Sequence, residues 1–113
     1  AIVGYDLRFY EQLFKLYPHQ PEARSWFNAT PVAARETALR NGSLQGGYLI
    51  LAARALGLDC GPMGGFDGEG VAREFFPGKP CEVNFICNLG YGEPARLHPP
   101  LPRLAFDEAC AIV

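Results

Sequence analysis

The sequence lacks the features that several large classes of protein require. Its formal net charge is −2 at pH 7, which gives no support to a nucleic-acid surface or to a basic face on a membrane. No stretch offers about 20 uninterrupted apolar residues, the length that a membrane-spanning helix needs. No basic segment followed by an apolar run and a small-residue cleavage site indicates secretion. We therefore expect a cytoplasmic protein.

The sequence is also poor in motifs for metal binding and for nucleophilic catalysis. It has two histidines, and none of its four cysteines forms a C-x-x-C pair: Cys60, Cys81, Cys87 and Cys110. This spacing favours free apolar thiols in a reducing compartment over a metal site or a redox pair. There is no Walker sequence and no G-x-G-x-x-G turn, and the two serines lack a nucleophile elbow.

The chain is long enough for one small domain. It has 113 residues, of which 49% are apolar and 19% are charged, so a single core is expected. A strand is predicted at residues 1–5, and Asp6 is predicted to cap a helix over residues 7–17. Residues 21–28 are predicted to be a connector in which Trp26 and Phe27 anchor a loop. Because the chain begins with strand-like residues and no initiator methionine, we expect it to be part of a longer protein.

The longest helical pattern begins at Thr30-Pro31 and ends before Gly57. Thr30 offers a capping hydroxyl, proline suits the first turn, and glycine is a natural C-terminal stop. The second half is apolar nearly all round, so we expect burial on several sides. Gly46 and Gly47 each cost about 1 kcal/mol relative to alanine. They therefore indicate a close neighbour, and a packed helix is favoured over a ligand.

A glycine-rich turn follows this helix. Residues 58–61 are predicted to be a short strand and residues 62–66 a loop that exposes backbone amides. Asp67 is then predicted to cap a helix that reaches about Phe76. The loop is consistent with an anion cradle at the helix N-terminus and also with a simple tight turn. Both interpretations stay open at this point.

The last third of the chain changes character. Residues 81–89 alternate as in a strand that is covered on one face. Residues 93–102, which we call the arm, contain four prolines and can hardly form a helix or a central strand. An extended arm of this kind is best explained as wrapping another chain or a part of this protein outside the sequence.

Three motifs carry a resemblance to a known family. RNGSLQGGYLILAARALGLDCGPMGGFD begins at Arg40, NLGYG begins at Asn88, and LPRLAFDEAC begins at Leu101. Together they resemble the C-terminal part of the nitroreductase-like flavin oxidoreductases. Within that family they are most similar to the malonic semialdehyde reductases of pyrimidine utilisation. The resemblance covers nearly all 113 residues and implies an α+β fold with a long central helix and an extended C-terminal arm.

The resemblance also implies a cofactor site. In the family a loop after the long helix lies against the isoalloxazine ring of FMN, and the matching positions are Pro62, Met63, Gly64 and Gly65. The Gly64 amide matches the donor to the ring nitrogen that accepts hydride, where it favours the charge of the reduced flavin. Arg103 matches an arginine that pairs with the FMN phosphate through a charge-assisted contact.

The chain departs from the family pattern in several places. Many relatives have a glutamate where this chain has Gly64, but glycine preserves a contact made by the backbone. Many also have a lysine where this chain has Leu101, so the phosphate contact from this segment is incomplete. The arginine-rich N-terminal segment and the asparagine-bearing stretch of the family are absent. We therefore interpret residues 1–113 as the C-terminal part of a single nitroreductase-like domain.

The implied activity is that of an FMN-dependent oxidoreductase. NADH or NADPH would donate hydride, and a small molecule would accept it by a ping-pong route. The implied acceptor is malonic semialdehyde, giving 3-hydroxypropionate, or a related aldehyde, nitro compound or quinone. The resemblance further implies a homodimer with FMN at its interface. The alternative is a truncated, non-catalytic fragment that keeps only the dimerisation helix and the arm.

Overall fold

One antiparallel sheet of three strands, with a long helix packed on it, organises the computed structural model, which describes residues 1–113. The strands are β1, Ile2–Asp6; β2, Asp59–Met63; and β3, Cys81–Gly90. The helices are α1, Leu13–Leu16; α2, Ser25–Asn28; α3, Pro31–Ala55; α4, Gly68–Phe75; and α5, Phe106–Ala109, with 3-10 turns at Phe9–Gln12, Pro21–Arg24 and Pro94–Arg96. Helices and an antiparallel sheet in one chain confirm the predicted α+β class.

β3 lies between the other two strands and pairs antiparallel with both. Val3 of β1 is opposite Phe85, and Pro62 of β2 is opposite Cys87. The alternating sequence predicts β3 correctly, and Cys87 near its end is fully buried. β2 tolerates its proline because it is an edge strand, where a missing amide need not break a ladder bond.

α3 begins and ends where the sequence predicts. Pro31 occupies its first turn, and the helix stops before Gly57, whose φ of +82° favours glycine. The Gly57 amide donates to the Arg54 carbonyl at 3.0 Å, which satisfies one of the carbonyls that a helix end leaves unpaired. The cap at the other end differs from the prediction, because the Thr30 hydroxyl makes no capping hydrogen bond.

Small residues on one face of α3 lie against the sheet, whereas the opposite apolar face is exposed. The buried positions are Ala34, Ala38, Gly42, Gly46 and Ala53. The exposed large side chains include Leu44, Tyr48 and Leu51. The prediction that the second half of α3 is buried on several sides is therefore wrong for this chain alone, because a single three-stranded sheet covers only one side of the helix.

Gly46 allows the closest approach between α3 and the sheet. A Cβ at this position would lie 2.5 Å from Cε1 and 2.6 Å from Cζ of Phe85 on β3. The predicted close neighbour is thus present, but it is a side chain of a strand and not the second helix that the sequence favoured. Gly47 has no such neighbour, since no heavy atom would lie within 4 Å of a Cβ there.

The chain between β1 and α1 is less regular than predicted. In place of one helix over residues 7–17 it forms a 3-10 turn followed by the four residues of α1. The Asp6 carboxylate accepts a hydrogen bond from the Arg8 amide at 2.8 Å and caps no helix. This local turn offers the backbone an alternative to the predicted helix start.

The connector before α3 is anchored by one aromatic ring. Phe27 packs edge-on against Phe9, with ring centroids 5.0 Å apart, and this half of the prediction is confirmed. Trp26 is 54% exposed, so the anchoring role predicted for it is wrong in this chain. The side chains of Trp26 and Phe27 point in different directions because they occupy successive positions of α2, which are about 100° apart around a helix.

The chain after β3 lies apart from the sheet. The arm is extended as predicted, apart from its single 3-10 turn, and every residue from 91 to 113 is exposed. α5 is one helical turn that the sequence analysis did not predict. The Ala105 amide at its start donates to the Glu108 carboxylate at 2.9 Å, which is a local contact within the turn.

The chain buries little of its own surface. Only 8 of its 113 residues are buried, and its radius of gyration is 17.8 Å, against about 13 Å for a compact domain of this length. Its accessible surface is 8896 Å², against about 6,100 Å² for a folded monomer of this mass. Much apolar surface therefore stays uncovered.

None of the helices combines the length and the apolar character needed to cross a membrane.

Candidate functional site

The glycine loop, which we define as residues 64–67, joins β2 to α4. Its predicted start at Pro62 is wrong by two residues, because Pro62 and Met63 belong to β2 and lie opposite Cys87 and Ile86 of β3. The sequence does not indicate that the strand extends to Met63, because glycine and proline are poor strand formers. Pairing with the central strand overrides that preference and holds the start of the loop against the sheet.

Backbone amides of the glycine loop have no partners in the structure. The N–H groups of Gly64, Gly65 and Phe66 donate to neither backbone nor side-chain acceptors. No heavy atom would lie within 4 Å of a Cβ at either glycine, and the φ of Gly65 is +73°. The loop therefore presents amide donors at a surface that no side chain obstructs.

Asp67 occupies the N-terminus of α4. Its Oδ1 accepts a hydrogen bond from the Gly70 amide at 2.9 Å, which confirms the predicted cap. In its observed position the carboxylate occupies space that a Cβ at Gly70 would need. A negative charge already sits where an anion would bind, and the structure therefore favours the tight-turn interpretation of this helix start over an anion cradle.

An open groove of about 600 Å³ runs between α4, β3 and the first turns of α3. A cluster of three polar side chains, which we call the Glu82 cluster, lies at its edge: Tyr5, Arg35 and Glu82. Arg35 donates from Nε to both Glu82 oxygens at 3.0 Å, and its Nη2 lies 2.7 Å from Oε2. The Tyr5 hydroxyl also donates to Oε2.

Each member of the Glu82 cluster is held in its ordinary neutral-pH form. Burial raises the pKa of the Tyr5 hydroxyl, and the hydrogen bond to Glu82 raises it further. Hydrogen bonds from Arg35 hold the pKa of the Glu82 carboxyl below its usual value. The same pairing raises the pKa of the Arg35 guanidinium. The cluster thus links β1, α3 and β3 with a fixed charge pattern and is poorly suited to proton transfer near neutral pH.

We predict that the Glu82 cluster makes the free energy of unfolding depend on pH. Because the pKa of Glu82 is lower in the folded chain, its contribution is present above the ordinary glutamate pKa of about 4.3 and is lost as pH falls through the lowered value. The side chains of Glu82 and Arg35 are 36% and 55% exposed, so the contribution of their ion pair should be about 1 kcal/mol or less. Urea denaturation at several pH values measures it.

The variant Glu82→Gln isolates this effect. Its stability should fall less between neutral and acidic pH than that of the wild type, because glutamine carries no charge to lose. Glu93→Gln is the matched control, since Glu93 pairs with Arg96 at 3.6 Å on the open surface. A Glu82→Gln profile parallel to that of the wild type would show that the cluster does not stabilise the fold through charge.

A second polar cluster lies at the start of β2, the end away from the glycine loop. Asp59 pairs through Oδ1 with Nη1 of Arg54, at the end of α3, at 2.5 Å. Its Oδ2 accepts a hydrogen bond from the Gly92 amide at 2.8 Å. We call these three residues the Asp59 cluster. It fixes the G-Y-G turn that follows β3 to the first residue of β2, the strand that leads into the glycine loop.

Arg103 lies on the exposed segment after the arm, apart from the glycine loop. Its Nη1 donates to the carbonyls of Leu101 and Pro102, at 2.8 and 3.3 Å. No hydrogen bond or ion pair joins it to the sheet, and its Nε and Nη2 donate to nothing. The four other predicted positions thus lie together at the end of β2 and the start of the glycine loop, and the guanidinium of Arg103 is open to an anionic partner.

The four cysteines are free thiols. Burial raises the pKa of the Cys60 and Cys81 thiols, and the neighbouring Cys87 adds to the effect at Cys60. A raised pKa disfavours the thiolate, which is the nucleophilic form. No group of three histidine, cysteine, aspartate or glutamate side chains is placed to hold a metal ion.

Neither polar cluster is predicted from the sequence. Arg35 and Glu82 are 47 residues apart, so no local motif relates them. Asp59 offered a weak signal, because an acidic residue in an otherwise apolar strand needs a partner. Arg54 lies only five residues before Asp59, whereas Gly92 could not be named as a partner without the register that places Gly90 opposite Asp59.

The fold is that of nitroreductases. The crystal structure of a Bacillus subtilis protein described as "putative nitroreductase ydfN" superposes with a TM-score of 0.88 at 25% sequence identity. The match covers 99% of this chain and 62% of that chain, and it confirms the predicted nitroreductase-like fold. No protein-family model matches the sequence.

Two curated proteins of the genus Ralstonia are similar in sequence to this chain. One from Ralstonia nicotianae is 58% identical over 113 residues, and one from Ralstonia pickettii is 56% identical over 114 residues. Both carry the name "putative NADH dehydrogenase/NAD(P)H nitroreductase". The alignments include 100% and 99% of this chain but 57% and 58% of those proteins. The chain therefore spans little more than half the length of the curated relatives it matches.

Proposed function

We propose that the complete protein is an FMN-dependent NAD(P)H oxidoreductase in which this chain supplies the loop beside the flavin ring and an arginine for the phosphate. The observation that carries the proposal is the glycine loop, whose three successive amides lack partners and whose glycines leave the approach free. The names of the Ralstonia relatives support the reaction class.

The residues present fit FMN. Unobstructed amide donors suit the nitrogen and oxygen acceptors along the edge of an isoalloxazine ring, and the Gly64 amide is the donor that we assign to the ring nitrogen accepting hydride. The free Nε and Nη2 of Arg103 suit a phosphate, which binds guanidinium groups through paired charge-assisted hydrogen bonds. The N-terminus of α4 does not compete for the phosphate, because Asp67 already covers it.

When bound, FMN would supply the redox chemistry, accepting hydride from NADH or NADPH and passing it to a small molecule by a ping-pong route. The groups of this chain bind and orient: Pro62 and Met63 fix the start of the glycine loop against β3, and Gly64 and Gly65 keep it open. The GPMGGFD, GYG and LPRL motifs support malonic semialdehyde as the acceptor, ahead of other aldehydes, nitro compounds and quinones.

A non-catalytic fragment is the second candidate function. Its support is the short span of the chain relative to its relatives, together with the large uncovered apolar surface of α3. In this case residues 1–113 would associate with a partner through α3 and the arm and would bind no flavin.

FMN titration separates the two candidates. The complete protein should quench FMN fluorescence at one equivalent per chain and should oxidise NADH or NADPH when malonic semialdehyde is added. Failure of the complete protein to bind FMN would contradict the proposal. If residues 1–113 associate without binding FMN while the complete protein binds it, the fragment interpretation holds for this chain alone.

We predict that substitutions at Gly64 distinguish the loss of its backbone amide donor from the addition of a side chain. Gly64→Pro removes the donor and should lower the midpoint potential of bound FMN by about 30–60 mV, since a hydrogen bond to a charged group is worth about 1.5–3 kcal/mol. Gly64→Ala keeps the donor, has open space and needs no positive φ. It should stay close to the wild type in potential and in the rate of reduction by NADPH.

Gly65→Ala is the matched control for strain in the same loop. The φ of Gly65 is +73°, which an alanine adopts only at a cost of about 1–2 kcal/mol. This variant should lose stability while its potential changes little. A proline variant at Gly64 that keeps its fold, its bound FMN and the wild-type potential would show that the Gly64 amide does not contact the ring.

We further propose that the outer face of α3 binds a second copy of the complete protein. Its side chains line an apolar groove of about 470 Å³ that includes Leu44, Tyr48 and Leu51. The chain exposes about 2,800 Å² more surface than a monomer of its mass should. Obligate homodimers commonly bury 2,000–5,000 Å² in all, or about 1,000–2,500 Å² on each partner, so the excess surface of one chain is large enough for such an interface.

We predict that Leu51→Glu disrupts this dimer. A charge at an apolar interface costs about 3–5 kcal/mol when it has no partner, and a twofold interface contains it twice, so dissociation should increase at least a hundredfold. Leu16→Glu on α1 is the matched control, since Leu16 and Leu51 are 70% and 66% exposed. Light scattering of the complete protein measures both. If the wild type is monomeric at micromolar concentration, the dimer proposal is wrong, and the outer face of α3 is covered by the rest of the same complete chain instead.

A further inference from the structure

Asp59 joins three parts of the molecule that bear on the proposed cofactor site. It is the first residue of β2, the strand that leads to the glycine loop. Its two carboxylate oxygens contact Arg54 at the end of α3 and the Gly92 amide just before the arm. A Cβ at Gly92 would lie 3.1 Å from Oδ2 of Asp59, so a side chain at this position would displace the carboxylate by a few tenths of an ångström.

The contact between Asp59 and Gly92 is the last polar contact between the sheet and the exposed C-terminal segment. Every hydrogen bond and ion pair made by residues 93–113 is with a neighbour in that same segment. The direction in which the arm leaves the sheet is therefore set at Gly92. Beyond it, four prolines in residues 93–102 restrict the backbone, and proline-rich chains stay extended over several residues.

We propose that Asp59 is a positioning residue for the phosphate of the cofactor and acts through Arg103. By fixing Gly92 against the start of β2, its carboxylate sets the course of the stiff arm that leads to Arg103. The inference rests on the proposed function, because it needs Arg103 at the phosphate. It adds a reason why an acidic side chain stands at the start of β2 and why a glycine follows Tyr91 in the G-Y-G turn.

Comparing the affinities of the complete protein for FMN and riboflavin tests the inference, because riboflavin lacks the phosphate. Asp59→Ala should weaken FMN binding about three- to tenfold and leave riboflavin binding unchanged. Asp59→Asn keeps an oxygen acceptor for the Gly92 amide and should restore most of the FMN affinity. Arg54→Gln is the matched control: it removes the exposed ion pair but keeps the Gly92 contact, and it should bind FMN like the wild type.

A double variant shows whether Asp59 acts through Arg103. If it does, Asp59→Ala should add no further loss of FMN affinity when Arg103 is already alanine. Hydrogen exchange of the Gly92 amide gives a readout without cofactor, since exchange should be faster in Asp59→Ala than in the wild type and in Asp59→Asn.

Each remaining outcome counts against the inference. Equal losses of FMN and riboflavin affinity in Asp59→Ala would indicate a purely structural role. Unchanged FMN affinity in Asp59→Ala, together with a phosphate-dependent loss in Arg103→Ala, would overturn the inference and leave the proposed function standing. If Arg103→Ala itself fails to discriminate FMN from riboflavin, the assignment of Arg103 in the proposed function is wrong as well.

Discussion

Replacing Arg103 with alanine should weaken FMN binding by the complete protein about ten- to hundredfold and leave riboflavin binding unchanged. The expected loss corresponds to about 1.5–3 kcal/mol, the worth of a hydrogen bond to a charged group. The guanidinium is exposed and keeps Nε and Nη2 free, while Nη1 donates only to nearby carbonyls. Its removal therefore leaves no buried group unsatisfied in the apoprotein, so the fold should be unaffected.

Two further variants define the contact at Arg103. Arg103→Lys keeps the charge but loses the paired geometry of the guanidinium and should fall between the wild type and alanine. Arg96→Ala is the matched control, because Arg96 is also exposed and pairs only with Glu93. Isothermal titration with FMN and with riboflavin measures all three variants. Equal affinity of Arg103→Ala and the wild type for FMN would remove Arg103 from the phosphate site.

Gly46→Ala should lower the free energy of unfolding by up to about 2 kcal/mol. The new Cβ would lie 2.5 Å from the Phe85 ring, which must move away from a packed position, and overpacking of this kind costs about 1–3 kcal/mol. The gain in helix propensity, about 1 kcal/mol, offsets part of that cost. Denaturant titration of the complete protein measures the difference.

Gly47→Ala is the control on the adjacent position of the same helix. Within this chain no heavy atom would lie within 4 Å of its Cβ, so in monomeric protein it should gain up to about 1 kcal/mol from helix propensity alone. The two alanine variants should therefore shift the stability of the monomer in opposite directions. Phe85→Leu combined with Gly46→Ala should recover part of the loss, since the smaller side chain gives way. An unchanged stability of Gly46→Ala would mean that the ring turns aside without cost.

The elements that the sequence predicts well are those whose signals are local. α3 has proline in its first turn and glycine after its end, and Asp67 is followed by amides that a carboxylate can cap, so both were predictable to within a residue or two. The alternation over β3 predicted the central strand, because the pattern of a strand covered on one face needs no knowledge of its neighbours. The glycine loop was predictable from composition and from the family resemblance.

The features that the sequence predicts poorly depend on partners far along the chain. β2 includes Pro62 and Met63 only because β3 is beside it, and the exposure of α3 depends on how many layers cover the helix. The predicted helix over residues 7–17 failed because its apolar periodicity did not reveal the local turn at Asp6. The Glu82 cluster and the contact of Asp59 with Gly92 join residues far apart in the sequence. Their proximity depends on strand register and on the packing of α3 against the sheet, which are properties of the assembled fold.

The strand order also determines when the sheet can form. The sheet partner of β1 is β3, which is made about 80 residues later, and at 5–20 residues per second the ribosome needs roughly 4–16 s to cover that distance. During this time α3 can form, since helices fold in microseconds. Its outer apolar face and the face that later packs on the sheet are then both exposed to solvent. We therefore expect substitutions that disturb β3 to reduce the yield of protein made in cells more than they reduce the activity of the molecules that fold.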